Sequence, residues 1–172
     1  MSEPIDVVDH HDQVVCSMTR DDVHAKGLRH RAVSVWVEAS DGTIWLQQRS
    51  QHKEQEPGLY SPTASGHVDS GESYAHAAHR ELFEEAGMRA ALQHVTTLPA
   101  SPATGEEFTA IFVGQTGDRP VPCPVEVASM RQVTPADLAV WIAQRPMDFS
   151  RSFLAAYHWL TAHQRIGGEE AC

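Results

Sequence analysis

Residues 66–88 read Gly66-His67-Val68-Asp69-Ser70-Gly71-Glu72-Ser73-Tyr74-Ala75-His76-Ala77-Ala78-His79-Arg80-Glu81-Leu82-Phe83-Glu84-Glu85-Ala86-Gly87-Met88. Ser73 is suited to cap a helix and Gly87 to end one, and the interval between them is rich in Ala, Leu and Glu. A helix is therefore predicted over Ser73–Ala86. Glu81, Glu84 and Glu85 stand at i, i+3 and i+4, positions that share one helical face. Like charges so placed repel by about 0.2–0.5 kcal/mol per pair. Such a face is either solvated or neutralised by a cation, and hard carboxylate oxygens favour Mg²⁺ or Mn²⁺ over softer metals. Glu72, just before the helix, offers a fourth carboxylate. Arg80, four residues before Glu84, is placed to orient or neutralise one. Ala78 and Leu82 point elsewhere and anchor the helix to a sheet.

The complete spacing is more selective than the helix alone. It runs Gly-x5-Glu-x7-Arg-Glu-aliphatic-x-Glu-Glu-x-Gly-aliphatic, with Leu82 and Met88 in the aliphatic slots. At ordinary residue frequencies a chance match occurs on the order of once in a billion starts. The segment resembles the signature of the Nudix hydrolases. That resemblance implies an α/β fold, the Nudix fold, in which a mixed β-sheet is sandwiched between helices. It implies a loop–helix–loop that binds divalent metal, Mg²⁺ or Mn²⁺, against a diphosphate. Glu81, Glu84 and Glu85 would then be metal ligands, supported by Glu72. Arg80 would hold a glutamate in place. Gly66 would allow close backbone approach and offer its carbonyl to a metal. The implied activity is a pyrophosphohydrolase: metals neutralise developing charge and a carboxylate takes a proton from the attacking water. The base differs within the family. Glu84 or Glu85 is one choice, and Glu106 or Glu107, just before a β-like run, is another.

Upstream lie Arg29-His30-Arg31-Ala32-Val33-Ser34-Val35, Trp45-Leu46-Gln47-Gln48-Arg49-Ser50, Lys53 and Pro57-Gly58-Leu59-Tyr60. From about His24 to Glu72 this run is similar to the isopentenyl-diphosphate isomerase branch of the same superfamily. There, residues matching Arg49 and Lys53 hold the substrate's diphosphate, so both are candidate substrate-binding residues. Three departures weigh against isomerase activity. Ser65 stands where the isomerases carry a catalytic Cys, two residues before a metal-binding His, and a hydroxyl is a far weaker acid than a thiol. The hydrolase signature is intact here and degraded there. Their Glu-x-Glu pair is Gly105-Glu106-Glu107 here, so that only Glu107 keeps a metal-ligand type. His24, His30, His67 and Glu107 are either a remnant metal site or ordinary polar residues of loops and strand ends. The substrate expected is a small diphosphate, foremost a nucleoside di- or triphosphate, with isomerisation or non-catalytic nucleotide binding as alternatives; Trp36, Tyr60 and Phe108 either stack on a base or pack in the core and rim.

The remainder of the chain frames this segment. Ile5–Asp9 and Gln13–Met18 suggest a hairpin, and Thr19 caps a short helix that Gly27 stops. Arg31–Glu38 alternates in strand period, Asp41-Gly42 marks a hairpin turn, and Thr43–Gln48 returns. Gln51–Pro57 is loop-like. Gln93–Leu98, Phe108–Gln115 and Val125–Val133 are strand-like, with a turn-rich stretch between the last two. Thr134-Pro135 starts a helix. Ala136–Gln144 and Arg151–His163 are helical, and Gly167–Cys172 is expected to fray. One domain over 1–172 accommodates all of this.

With 23 Asp and Glu against 13 Lys and Arg, the net charge is −10, which disfavours long nucleic acid as a partner. The partner expected is a small anionic molecule, bound by a monomer or homodimer. No run approaches the roughly 18 apolar residues of a membrane span. Met1–Asp12 lacks the pattern of a secretory leader, and Cys16, Cys123 and Cys172 show neither zinc nor disulfide spacing. A cytoplasmic setting follows as the expectation.

Overall fold

In a computed structural model, residues 4–166 are described. The predicted frayed tail, Gly167–Cys172, lies outside them. A hairpin, β1 (Pro4–Val8) and β2 (Val14–Thr19), leads into a short helix, α1 (Arg20–Ala25), capped by the Thr19 side chain. The sheet then forms from β3 (His30–Ala39), β4 (Ile44–Arg49), β5 (Tyr60–Ser61), β6 (Ala64–His67), β7 (Ala91–Leu98), β8 (Glu107–Thr116) and β9 (Val127–Val133). Its main path is β5-β4-β3-β8-β7; β6 also pairs with β3, and β9 with β4. Only β3 and β8 run parallel among these pairs, so the sheet is mixed.

Helix α2 (Tyr74–Ala86) covers one face and α3 (Pro135–Gln144) and α4 (Arg151–Ala162) cover the other. The alternation of β3 explains both layers. Val33, Val35 and Val37 pack with Ala78, Leu82 and Met88 on the α2 side. Trp36 packs with Leu138, Phe153 and Leu160 on the other. Its indole N–H donates to Ser34 Oγ at 2.9 Å, which satisfies the one polar atom this ring buries. Leu82 is wholly buried, a burial that stabilises by about 1.5–3 kcal/mol.

The predicted ends of α2 are observed. Ser73 Oγ accepts the His76 N–H at 3.2 Å, and Gly87 closes the helix at φ 64°. Strands β7 and β9 begin at Ala91 and Val127 rather than at Gln93 and Val125. Strands β5 and β6 and two 3-10 turns, Pro102–Thr104 and Pro146–Asp148, carry no readable period. Their partners determine them. Strand β6 exists because Ala64–His67 lies along β3, with Val33 opposite Gly66. The β1–β2 hairpin docks on the start of the glutamate segment: Asp6 accepts the Ser70 hydroxyl at 2.7 Å and the Gly71 N–H at 3.1 Å.

Candidate active site

Arg80 organises the glutamates. Its Nε and Nη2 bond the two Glu72 oxygens at 3.0 and 2.8 Å, and Nη2 also donates to the His67 carbonyl at 2.9 Å. Nη1 donates to Glu81 Oε1 at 2.7 Å and Glu84 Oε2 at 3.1 Å. The planar fork of donors makes this possible, where an ammonium would act as a single point charge. Glu72 also accepts the Asp69 N–H at 3.1 Å. Burial pushes the Glu72 carboxyl up, but Arg80 and the Asp69 N–H hold it below its ordinary range.

Glu85 turns the other way. Its Oε2 accepts from Gln47 Nε2 at 2.6 Å and from the Ser65 N–H at 2.8 Å, and Lys53 Nζ lies 3.4 Å from Oε1. The three glutamates thus sit at the predicted helical spacing, but their oxygens do not converge on one point. Arg80 gathers Glu81 and Glu84, and Lys53 faces Glu85. Burial, reinforced by the Glu85 charge, pushes Glu81 up to about 8. Burial also raises Glu85, with Lys53 opposing it. Two buried acids so destabilised as anions fit a divalent cation, which would favour both ionised forms. Gly66 fits it too, because the backbone there runs directly against the Glu81 carboxyl.

Beside this segment, His24, His30 and His67 bring one nitrogen each within 4.8 Å of one another. The register sets part of this: β3 and β8 pair His30 opposite Glu107, and β6 ends at His67 next to β3. His24 Nε2 lies 3.0 Å from His67 Nε2. Glu107 Oε1 lies 3.5 Å from His30 Nε2 and 3.4 Å from His67 Nε2. His30 Nδ1 bonds the Leu28 carbonyl at 2.8 Å, so Nε2 is the atom turned inward, buried and without a hydrogen-bond partner. Burial, then repulsion from His67 and His30, lowers His24 to about 4, and burial lowers His67 as well. Neutral imidazoles are what a metal requires. Burial pushes Glu107 up, but His30 and His67 outweigh it and hold the carboxyl at about 2. Three imidazoles and one carboxylate suit a first-row divalent metal. Of the two sequence readings of these residues, the geometry favours the metal site.

Glu81 and Glu84 of the first cluster and His67 and Glu107 of the second line one cleft of ≈ 210 Å³ with Arg20, Arg49 and Lys53; Glu72, Glu85, His24 and His30 do not line it. Arg49 Nε and Nη2 donate to the Gln55 carbonyl at 3.2 and 3.0 Å. Arg20, read from sequence only as the start of α1, contributes a third cation, and its buried Nε has no partner. Gln47 and Glu126 were also missed. Gln47 is a wholly buried amide inside a strand, and Glu126, bonded by Lys53 Nζ at 2.5 Å, lies beyond a turn-rich stretch with no motif. Glu106 does not line the cleft. Of the two options for Trp36, Tyr60 and Phe108, base stacking is not supported, since none of them lines it. Trp36 is core, and Tyr60 packs edge-on against Trp141 at 4.6 Å.

Comparison with known proteins agrees with this architecture. The NUDIX domain family matches residues 28–156. An isopentenyl-diphosphate Delta-isomerase of Serratia proteamaculans is 33% identical over 169 residues, covering 95% of this chain and 94% of that protein. An uncharacterized Nudix hydrolase of Streptomyces coelicolor, SCO1686, is 42% identical over 85 residues, 49% of this chain and 47% of that one. Among solved structures, DR0079 from Deinococcus radiodurans superposes with a TM-score of 0.73 at 26% identity, over 83% of this chain and 90% of that one. The NUDIX domain of Shewanella oneidensis NrtR, solved with ADP ribose, shares the fold with a TM-score of 0.62 at 17% identity, over 86% of this chain and 99% of that one. No helix among the described residues is long and apolar enough to cross a membrane. The chain belongs to the Nudix superfamily, on the branch that includes the isopentenyl-diphosphate isomerases.

Proposed function

We propose that the protein is a divalent-metal-dependent hydrolase that cleaves the phosphoanhydride bond of a small molecule ending in a diphosphate. The observation that carries this reading is the cleft that Arg20, Arg49 and Lys53 line together with Glu81 and Glu84 of the signature. In a chain of net charge −10, the concavity gathers Arg20, Arg49, Lys53 and Arg80 beside six carboxylates, Glu56, Asp69, Glu81, Glu84, Glu107 and Glu126, a mixture that suits a polyanion bound together with divalent metal. The enclosed volume of ≈ 210 Å³ is below the roughly 300–1,000 Å³ of sites that engulf drug-sized ligands. The diphosphate end is therefore enclosed and the remainder projects outward. The lining offers no aromatic side chain for a base, so nucleoside di- and triphosphates would be taken for their phosphates rather than their bases.

Glu81, Glu84 and Glu85 are the ligands proposed for Mg²⁺ or Mn²⁺, with Gly66 giving room and Glu72 acting through Arg80. Such ions supply charge neutralisation on the phosphates and make the attacking water easier to deprotonate. Arg49, Lys53 and Arg20 hold the diphosphate. Glu84 is the base this geometry favours. Its side chain is 53% exposed on the cleft wall, with Arg80 bonded at Oε2. Glu85 is committed to three donors, and Glu107 is turned toward His30 and His67.

The experiment is phosphate and pyrophosphate release with Mg²⁺ and Mn²⁺ across nucleoside di- and triphosphates, sugar nucleotides, dinucleoside polyphosphates, coenzyme A, NADH and isopentenyl diphosphate. Glu84→Gln serves as control. Metal-dependent cleavage that falls at least ~100-fold in the control is expected. Equal rates in both proteins would end the mechanism.

A second reading, isomerisation of an isoprenoid diphosphate, is favoured by the His24–His30–His67–Glu107 centre and by the isomerase relatives. It lacks a thiol at Ser65. Conversion of isopentenyl diphosphate without phosphate release would replace the hydrolase reading.

A further inference from the structure

The loop between β4 and β5 contributes Lys53, Gln55 and Glu56 to the cleft lining. Three side chains pin it: Lys53 to Glu85 and Glu126, Glu56 to the Arg151 N–H at 2.9 Å, and Gln55 to His24. Gln55 makes two contacts of different kinds. Its side-chain Nε2 lies 3.0 Å from His24 Nδ1, and its backbone carbonyl accepts from the Arg49 guanidinium.

We propose that Gln55 is a positioning residue for the histidine centre, its amide orienting His24 as a metal ligand while its carbonyl fixes Arg49 toward the diphosphate. This rests on reading His24, His30, His67 and Glu107 as a metal centre.

The chemistry of the two imidazole nitrogens carries it. His24 Nε2 is the atom that faces His67. To give that lone pair to a metal, His24 must carry its proton on Nδ1, and Nδ1–H then needs an acceptor. His30 has a fixed acceptor, the Leu28 carbonyl. His24 has only the movable Gln55 amide at that position. A primary amide serves both tautomers: its NH₂ pairs with a bare Nδ1, and after a half-turn its oxygen accepts from Nδ1–H. The outer partner of a metal-bound histidine fixes ring orientation and ligand basicity, and its loss lowers metal affinity about 10- to 100-fold. The carbonyl contact takes one edge of the Arg49 guanidinium and leaves Nη1 free for phosphate. One loop residue therefore sets a metal ligand and a phosphate cation in register.

The test is Co²⁺ binding, followed by visible absorption and calorimetry, in wild type, His24→Ala, Gln55→Leu and Gln55→Glu. Methylenediphosphonate affinity is measured in parallel without metal. The expectation is a histidine-dependent Co²⁺ site absent in His24→Ala, weakened at least tenfold in Gln55→Leu, and retained or tightened in Gln55→Glu, whose carboxylate also accepts from Nδ1–H. Methylenediphosphonate affinity should stay unchanged in Gln55→Leu, because the backbone carbonyl remains. Wild-type Co²⁺ affinity in Gln55→Leu, with the site lost in His24→Ala, would overturn the role of Gln55 alone. Equal loss of metal and methylenediphosphonate affinity would also overturn it, in favour of general loosening of the loop. Identical Co²⁺ binding by wild type and His24→Ala would overturn the metal centre itself, and the inference with it.

Discussion

Gly66 lies directly against the Glu81 carboxyl, so that a Cβ on residue 66 would collide with it unless Glu81 shifted. The contact is with a carboxyl that Arg80 also holds, so moving it aside disturbs that ion pair. In Gly66→Ala, Glu81 must leave its place. Displacement of a ligand by about 1 Å costs on the order of 100-fold in rate. Steady-state hydrolysis should fall by that factor with the far-ultraviolet circular dichroism unchanged; an undiminished rate would mean that Glu81 does not hold metal where the geometry puts it.

Arg80→Lys should behave as a loss rather than a conservative exchange. A lysine cannot bond Glu72 through two oxygens while also reaching Glu81, Glu84 and the His67 carbonyl. Leaving buried acids partly unpaired should destabilise by about 3 kcal/mol, read from urea denaturation. Turnover should fall with it. Equal stability of the two proteins would show that the Arg80 network contributes little.

Asp6→Ala tests whether the N-terminal hairpin positions the glutamate segment. The substitution removes the acceptor for the Ser70 hydroxyl and the Gly71 N–H and should cost about 1–3 kcal/mol. Amide hydrogen exchange should accelerate first at Gly71 and Glu72. Unchanged protection there would confine the role of Asp6 to the hairpin.

Arg49→Ala should raise KM about 10- to 100-fold, the worth of one or two hydrogen bonds to a charged phosphate. The effect on kcat should be much smaller, since a cation that grips the diphosphate alike in ground and transition state changes KM rather than kcat. A wild-type KM would remove Arg49 from the diphosphate site.

Acid should destabilise the metal-free protein through His24. The unfolded imidazole takes a proton near its ordinary value of 6.5, whereas the folded one does so only at about 4. Between those values the unfolded chain binds more protons, so stability is full above pH 6.5 and falls as pH drops toward 4. The melting temperature measured in chelator should follow this course, and His24→Gln should flatten it. Parallel curves for the two proteins would contradict the depressed value.

Much of the fold was readable because local chemistry and global packing agree. Ser73, Gly87 and the apolar positions Ala78 and Leu82 specify α2 before any neighbour is known, and Val33, Val35 and Val37 announce a strand by their period. Strands β5 and β6 were not readable. At two and four residues they carry too little pattern, and pairing with β4 and β3 creates them. The same holds within the site. Spacing alone marked Glu81, Glu84, Glu85 and Arg80 as one unit. Arg20, Gln55 and Glu126 belong to no motif and reach the cleft only through the folded chain, and Gln47, inside the upstream run, meets Glu85 only there.

By itself, the sequence determined the superfamily, the glutamate helix and the candidate ligands, because a helix converts spacing of three and four residues directly into a shared face. Only the tertiary structure decided how those groups are paired. Parallel pairing of β3 with β8 puts Glu107 against His30, β6 brings His67 beside them, and α1 swings His24 in from outside the sheet. Burial then shifts the charges, raising Glu81 and lowering His24, while His30 and His67 hold Glu107 ionised against it. Desolvation and the distance between groups remote in sequence govern those states, and neither quantity exists until the chain is folded.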